Sequence, residues 1–100
     1  MPTKATDEKK KVSVQTCKSP EYRAFYSNYA QVGFTAFDIG VTFSEVIEAS
    51  GESILAEQRG RVSMAPLQAK ALLRLLTKII GQYEEKYGAI PVPPSVMDEQ

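Results

Sequence analysis

The chain has 100 residues, of which 43% are hydrophobic and 24% charged, and its formal net charge is zero; that is the size and make-up of one globular domain with tails. Cys17 is the sole cysteine and there is no histidine, which excludes an intramolecular disulfide and a Cys/His zinc cluster. No run of about 18 apolar residues occurs and the first residues hold no apolar signal core, so the sequence predicts a cytoplasmic protein with no membrane span.

The zero charge conceals zoning. Residues 1–18 carry Lys4, Lys9, Lys10, Lys11 and Lys18 against Asp7 and Glu8. Residues 45–57 carry Glu45, Glu48, Glu52 and Glu57 with no base. Residues 1–20 show no sustained period and end at the turn-forming pair Ser19-Pro20, which predicts a disordered basic leader solvated on its own account. The alternation of Val12, Val14 and Thr16 leaves a weak edge strand open there. A single folded domain is expected over 21–91, followed by an extended, proline-rich tail over 92–100.

The first strand is expected between Tyr22 and Val32, where aromatic and β-branched residues are dense and Gly33 follows. Its two faces would be Tyr26, Asn28, Ala30 and Val32 against Phe25, Ser27, Tyr29 and Gln31. The cleanest period-2 signal follows: Phe37, Ile39, Val41 and Phe43 on one face, Asp38, Gly40, Thr42 and Ser44 on a wet one. Ala49 to Ser53, small and polar around Gly51, suits a hairpin loop of three to five residues. A third strand runs through Ile54-Leu55-Ala56 to Arg61-Val62-Ser63-Met64, with Val62 and Met64 inward, Arg61 and Ser63 outward, and Gly60 a candidate bulge.

Pro66 fits the first position of a helix, where its missing N–H would be unpaired anyway. The helix predicted from there runs about six turns and stops at Gly88, and the following Ile90-Pro91-Val92-Pro93-Pro94 cannot continue it. Its main apolar stripe is Ala69, Leu72, Leu73, Leu76, Ile80, Tyr83 and Tyr87, and Ala71, Leu75 and Ile79 form a second row at steps of four. One small sheet cannot cover both rows. The domain of about 70 residues has a size at which association often supplies missing burial. Ala71, Leu75 and Ile79 are therefore the expected interface with the same helix of a second copy. The remaining face carries a basic ridge of Lys70, Arg74 and Lys78.

Catalytic chemistry is not written in the chain. A base poised near neutral pH is most often histidine, which is absent. Glu84 and Glu85 are adjacent on a helix and point apart, and no glycine-rich phosphate loop, nucleophile elbow or calcium loop occurs. No cofactor is expected. Tyr22, Phe25, Tyr26 and Tyr29, with Arg23, Arg59 and Arg61, could stack nucleobases, but the acidic loop beside them and the zero net charge give nucleic acid little to approach.

The segments Tyr26-Ser27-Asn28-Tyr29, Val32-Gly33, Phe37-Asp38-Ile39, Phe43, Arg61 through Leu73, and Tyr83 through Pro91 resemble a small prokaryotic family, the domain of unknown function 3467. The resemblance covers about residues 22–91. It implies a bacterial or archaeal source and carries no activity onto these positions. The family more often has serine before the proline; Ala65 stands there, and Ser63 is the nearest hydroxyl. The expected fold is α+β, an antiparallel meander of three to four strands followed by one long C-terminal helix packed on one face. The expected role is a non-catalytic oligomeric adaptor that binds another protein. Its candidate contacts are Asn28, Asp38, Thr42 and Arg61 on the wet sheet face and Lys70, Arg74 and Lys78 on the ridge. A holdase-like chaperone and a single-strand nucleic-acid binder are the alternatives.

Overall fold

The computed structural model describes residues 12–92. Three strands and one helix follow each other along the chain: β1 (Tyr29–Phe34), β2 (Ile39–Ser50), β3 (Ser53–Met64) and α1 (Pro66–Tyr87). The strands form one antiparallel sheet in the order β1-β2-β3. This is the β-β-β-α arrangement expected of an α+β chain. The first eleven residues of the leader and the tail from 93 onward lie outside the described residues. Residues 12–18 carry neither strand nor helix, and Pro20 sits in a turn closed by the Tyr22 amide donating to the Ser19 carbonyl at 3.0 Å.

Alternation gives the sheet an apolar and a polar face. Three cross-strand rows share the apolar face: Ala30, Phe43 and Gly60; Val32, Val41 and Val62; Phe34, Ile39 and Met64. The polar face carries Gln31, Thr42 and Arg61 in one row and Gly33, Gly40 and Ser63 in the next. Phe37, expected within the second strand, instead sits at the tip of the β1–β2 turn. There the Phe37 and Asp38 amides donate to Thr35 Oγ1, at 3.0 and 3.2 Å, and hold the chain off the ladder.

β1 starts later than the aromatic pattern suggests. The Asn28 amide donates to the Ser44 carbonyl at 3.0 Å, and the Val46 amide donates to the side-chain Oδ1 of Asn28 at 2.8 Å. A side chain thus takes the place of the next ladder carbonyl and ends the pairing. Ser27 Oγ lies 2.8 Å from the same Ser44 carbonyl. Ser44, 1% exposed, is the most enclosed side chain described. Upstream, Phe25 meets Phe43 edge-on with ring centroids 6.4 Å apart and lies over Gly60, so it covers the end of the apolar face and is not on the side of Tyr29 and Gln31.

The β2–β3 hairpin is longer and its turn tighter than expected, with only Gly51 and Glu52 between the strands. Gly51 has φ +23°, a region open to glycine. Two bulges interrupt the pairing: Arg59 is extra opposite Phe43 and Ser44, next to the expected site at Gly60, and Ile47 is extra opposite Leu55 and Ala56. Bulges bend and twist a ribbon. The bend brings Glu52, Ile54 and Ala56 together with Tyr29 around a shallow cleft.

α1 begins where Pro66 predicts and ends at Gly88, whose φ of 102° and amide bond to the Glu84 carbonyl at 2.8 Å stop it. Glu84 Oε2 also accepts from the Ile90 amide at 2.9 Å and ties down the segment that follows. The helix does not lie on its own sheet. None of its residues is buried, and among the described elements the extensive contacts are those between neighbouring strands. The cause is the connection: Ala65 alone joins Met64 to Pro66, with φ −64° and ψ 147°. A residue before proline is held extended, and strand-to-helix connections that reverse the chain commonly use 2–6 residues. Among the described residues no hydrophobic side chain is buried.

Ala65 caps α1 without a side-chain hydrogen bond. Ala65→Ser places a hydroxyl at a position already extended, and urea unfolding is expected to show a gain of about 1 kcal/mol; an unchanged midpoint refutes this account of the helix start.

Candidate functional site

The polar sheet face brings two of the seven expected partner-binding residues into contact, Thr42 and Arg61. They face each other across β2 and β3, and Arg61 Nη1 donates to Thr42 Oγ1 at 3.2 Å. One row along, Gly40 is buried beneath the Arg61 guanidinium: a Cβ built at Gly40 would lie 2.6 Å from Arg61 Cζ. The absence of a side chain at Gly40 lets the guanidinium lie flat on the sheet in this position. Gln31 flanks Thr42 on the β1 side, and Gly33 and Ser63 flank Gly40.

Two arginines on β3 have opposite surroundings. Arg59 Nη2 reaches Glu45 Oε1 at 2.9 Å and Glu57 Oε1 at 3.1 Å, so its charge is matched within the hairpin. Arg61 has no carboxylate partner among the described residues. A guanidinium has five N–H donors in a planar fork that suits a carboxylate or phosphate, and one bond to Thr42 leaves most of them free. The surface can therefore receive an acidic group without first breaking an ion pair.

The other expected residues lie elsewhere. Asn28 is occupied in ending the β1–β2 ladder. Asp38 is at the opposite end of the sheet, in the β1–β2 turn, where its Oδ1 accepts from Thr35 Oγ1 at 2.9 Å. Lys70, Arg74 and Lys78 are exposed on α1 and have no acidic partner among the described residues. Ala71 is exposed, and Leu75 and Ile79 are 60% and 56% exposed. The helix thus offers both its apolar rows and its basic ridge to solvent. Sequence reasoning missed Gly40, Gln31 and Ser63. Their period-2 placement was visible, but which of them adjoin Arg61 depends on strand register.

The aromatic group divides. Phe25 covers the apolar face, Tyr29 lies on the polar face beside the hairpin cleft, and the Tyr22 ring is 5.0 Å from Lys18 Nζ. These rings do not form one stacking platform. No helix of the described residues is long and apolar enough to cross a membrane.

Residues 1–91 match the pattern of the family described as protein of unknown function (DUF3467). The chain belongs to that family. The match takes in the leader as well as the folded region, a wider span than the resemblance from Tyr22 onward. No curated protein and no solved structure matches the chain. In this DUF3467 protein, function has to be argued from surface chemistry.

The Gly40–Arg61 fit makes a coupled prediction. Gly40→Ala moves the guanidinium, the free end of a flexible side chain, off the sheet, and the change is expected to be less favourable in the parent than in an Arg61→Ala background by about 0.5 kcal/mol. Equal costs in both backgrounds, read from urea midpoints, refute the fit.

Proposed function

We propose that this DUF3467 protein is a small, non-catalytic adaptor of the cytoplasm that self-associates through its helix and presents its polar sheet face to another protein. The observation that carries the reading is the exposure of most of its large apolar side chains, from Phe34 at 84% on the sheet to Leu67 at 80% on the helix. Domains below about 80 residues have little stability to spare even with a filled core. A chain of this size whose apolar side chains stay wet has its stable form in an assembly. Self-association through the row Ala71, Leu75 and Ile79 is the bacterial-type homodimer that this reading favours.

With the apolar surface used for assembly, the polar face is left for recognition. Arg61, spread over Gly40 and beside Thr42, is the residue for an acidic group on the partner. β3 adds a second device: it is 12 residues long and lies at an edge of the sheet, so its outer N–H and C=O groups can take an extended peptide as a further strand. A holdase-like chaperone is the second reading, favoured by the apolar sheet face ending in Phe34 and Phe37, 84% and 85% exposed. Single-stranded nucleic acid draws no support from rings on different faces and an Arg59 engaged by two glutamates.

Light scattering at micromolar concentration is expected to give a multiple of the chain mass. Leu75→Glu with Ile79→Glu should return it to the single-chain mass, because each carboxylate buried in the contact costs on the order of several kcal/mol; an unchanged mass refutes the interface. Arg61→Glu should keep the assembly and lose proteins captured by the parent from the native host. Capture unaffected by Arg61→Glu removes the polar face, binding of any unfolded chain favours the chaperone, and turnover of a small substrate by the purified parent defeats the non-enzyme reading.

A further inference from the structure

The apolar sheet face and the apolar stripe of α1 belong to the same chain and yet do not meet. We propose that they meet between two copies: each chain lays its helix on the apolar face of the other's sheet, in a reciprocal helix exchange about a two-fold axis. This rests on the self-association argued above and specifies its geometry.

Three observations point to a second copy as the occupant. The first is the connection. Ala65, extended and followed by Pro66, is the only residue between β3 and α1, so the helix leaves the end of the strand without the turn it needs to come back over it. Short junctions of this kind favour exchange over self-closure, because a partner's element satisfies the same surface with no reversal of the chain. The second is fit. Ala69 to Ile80 rises about 17 Å along a helix, and the strip from Ile39 to Phe43 that it would cover is about 13 Å long, lengthened by the Phe25 ring beyond Phe43. Val32, Val41 and Val62 line the middle of that strip.

The third is charge. Lys70, Arg74 and Lys78 border the helical stripe, and Glu48, cross-strand from Leu55 beyond Phe43, has no cationic partner among the described residues. Opposite charge on the two surfaces steers one copy onto the other and sets its orientation. The exchange also accounts for the helix being apolar on two sides. Its main stripe rests on the partner's sheet, which leaves Ala71, Leu75 and Ile79 to face the other helix across the axis. One isologous contact then uses both rows.

The test starts from a Cys17→Ser chain. One version carries Val41→Cys on the apolar sheet face, another Leu72→Cys on the stripe, and the two are refolded together and treated with a short bis-maleimide. Exchange gives a covalent heterodimer, and a single chain carrying both cysteines gives mainly products of two chains. Closure of that double-cysteine chain on itself as a monomer overturns the proposal. Should either cysteine variant fail to fold, a second arm decides: a Gly/Ser insert of about eight residues between Met64 and Ala65 reaches about 16 Å and lets the helix return to its own sheet. Because the row Ala71, Leu75 and Ile79 would still pair two closed chains, the insert is read together with Leu75→Glu and Ile79→Glu, and the expected result is a single-chain mass with a cooperative melt that the same double variant lacks without the insert. An insert that leaves the melt of the double variant unchanged overturns exchange while leaving self-association standing, whereas a parent that is itself monomeric overturns both.

Discussion

One residue, Ala65, links a 12-residue strand to a 22-residue helix, and the rest of the molecule is arranged around that junction. Proline at the first helical position suits the helix and restricts the residue before it. The pair Ala65-Pro66 therefore starts α1 sharply and also fixes the direction in which it leaves. With this junction the hydrophobic effect has surface to act on and no intrachain route to it.

The sheet depends less on its core than on local polar bonds. Asn28 and Ser27 close one end of the β1–β2 pairing, Thr35 shapes the turn at the other, and Arg59 ties Glu45 to Glu57 across the hairpin bulge. Exposed pairs of this kind are each worth little. Their effect here is on register and on curvature, which decide what stands beside what on the two faces. Arg61 on Gly40 is the clearest case, because a glycine diagonal to a long cation turns a flat face into a seat for a guanidinium.

For the DUF3467 family, this argues for function through surfaces. The apolar surface is too extensive to stay in water, and the polar face holds an arginine without a carboxylate while its neighbour two residues away has two. In the proposed reading, assembly and recognition use opposite faces of one sheet, so neither has to give way to the other.

Much of the fold was legible in the residues themselves. Strict alternation from Ile39 to Phe43 marked β2, Pro66 and Gly88 marked both ends of the helix, and the periodicity showed that the helix is apolar on two sides. These are local properties of 3.6- and 2-residue periods and of backbone restriction at proline and glycine. Where β1 begins was not legible, because Asn28 ends the ladder through a bond to Val46, eighteen residues away. Nor was the side of the sheet on which Phe25 lies, since its ring leaves the strand pattern to meet Phe43. The Arg61–Gly40 seat needed the register of β2 against β3, which two bulges shift by amounts no local pattern encodes. The separation of helix from sheet likewise depends on what a one-residue junction does in three dimensions. Periodicity says which residues seek burial, but only the tertiary structure decides whether the chain can reach around to bury them.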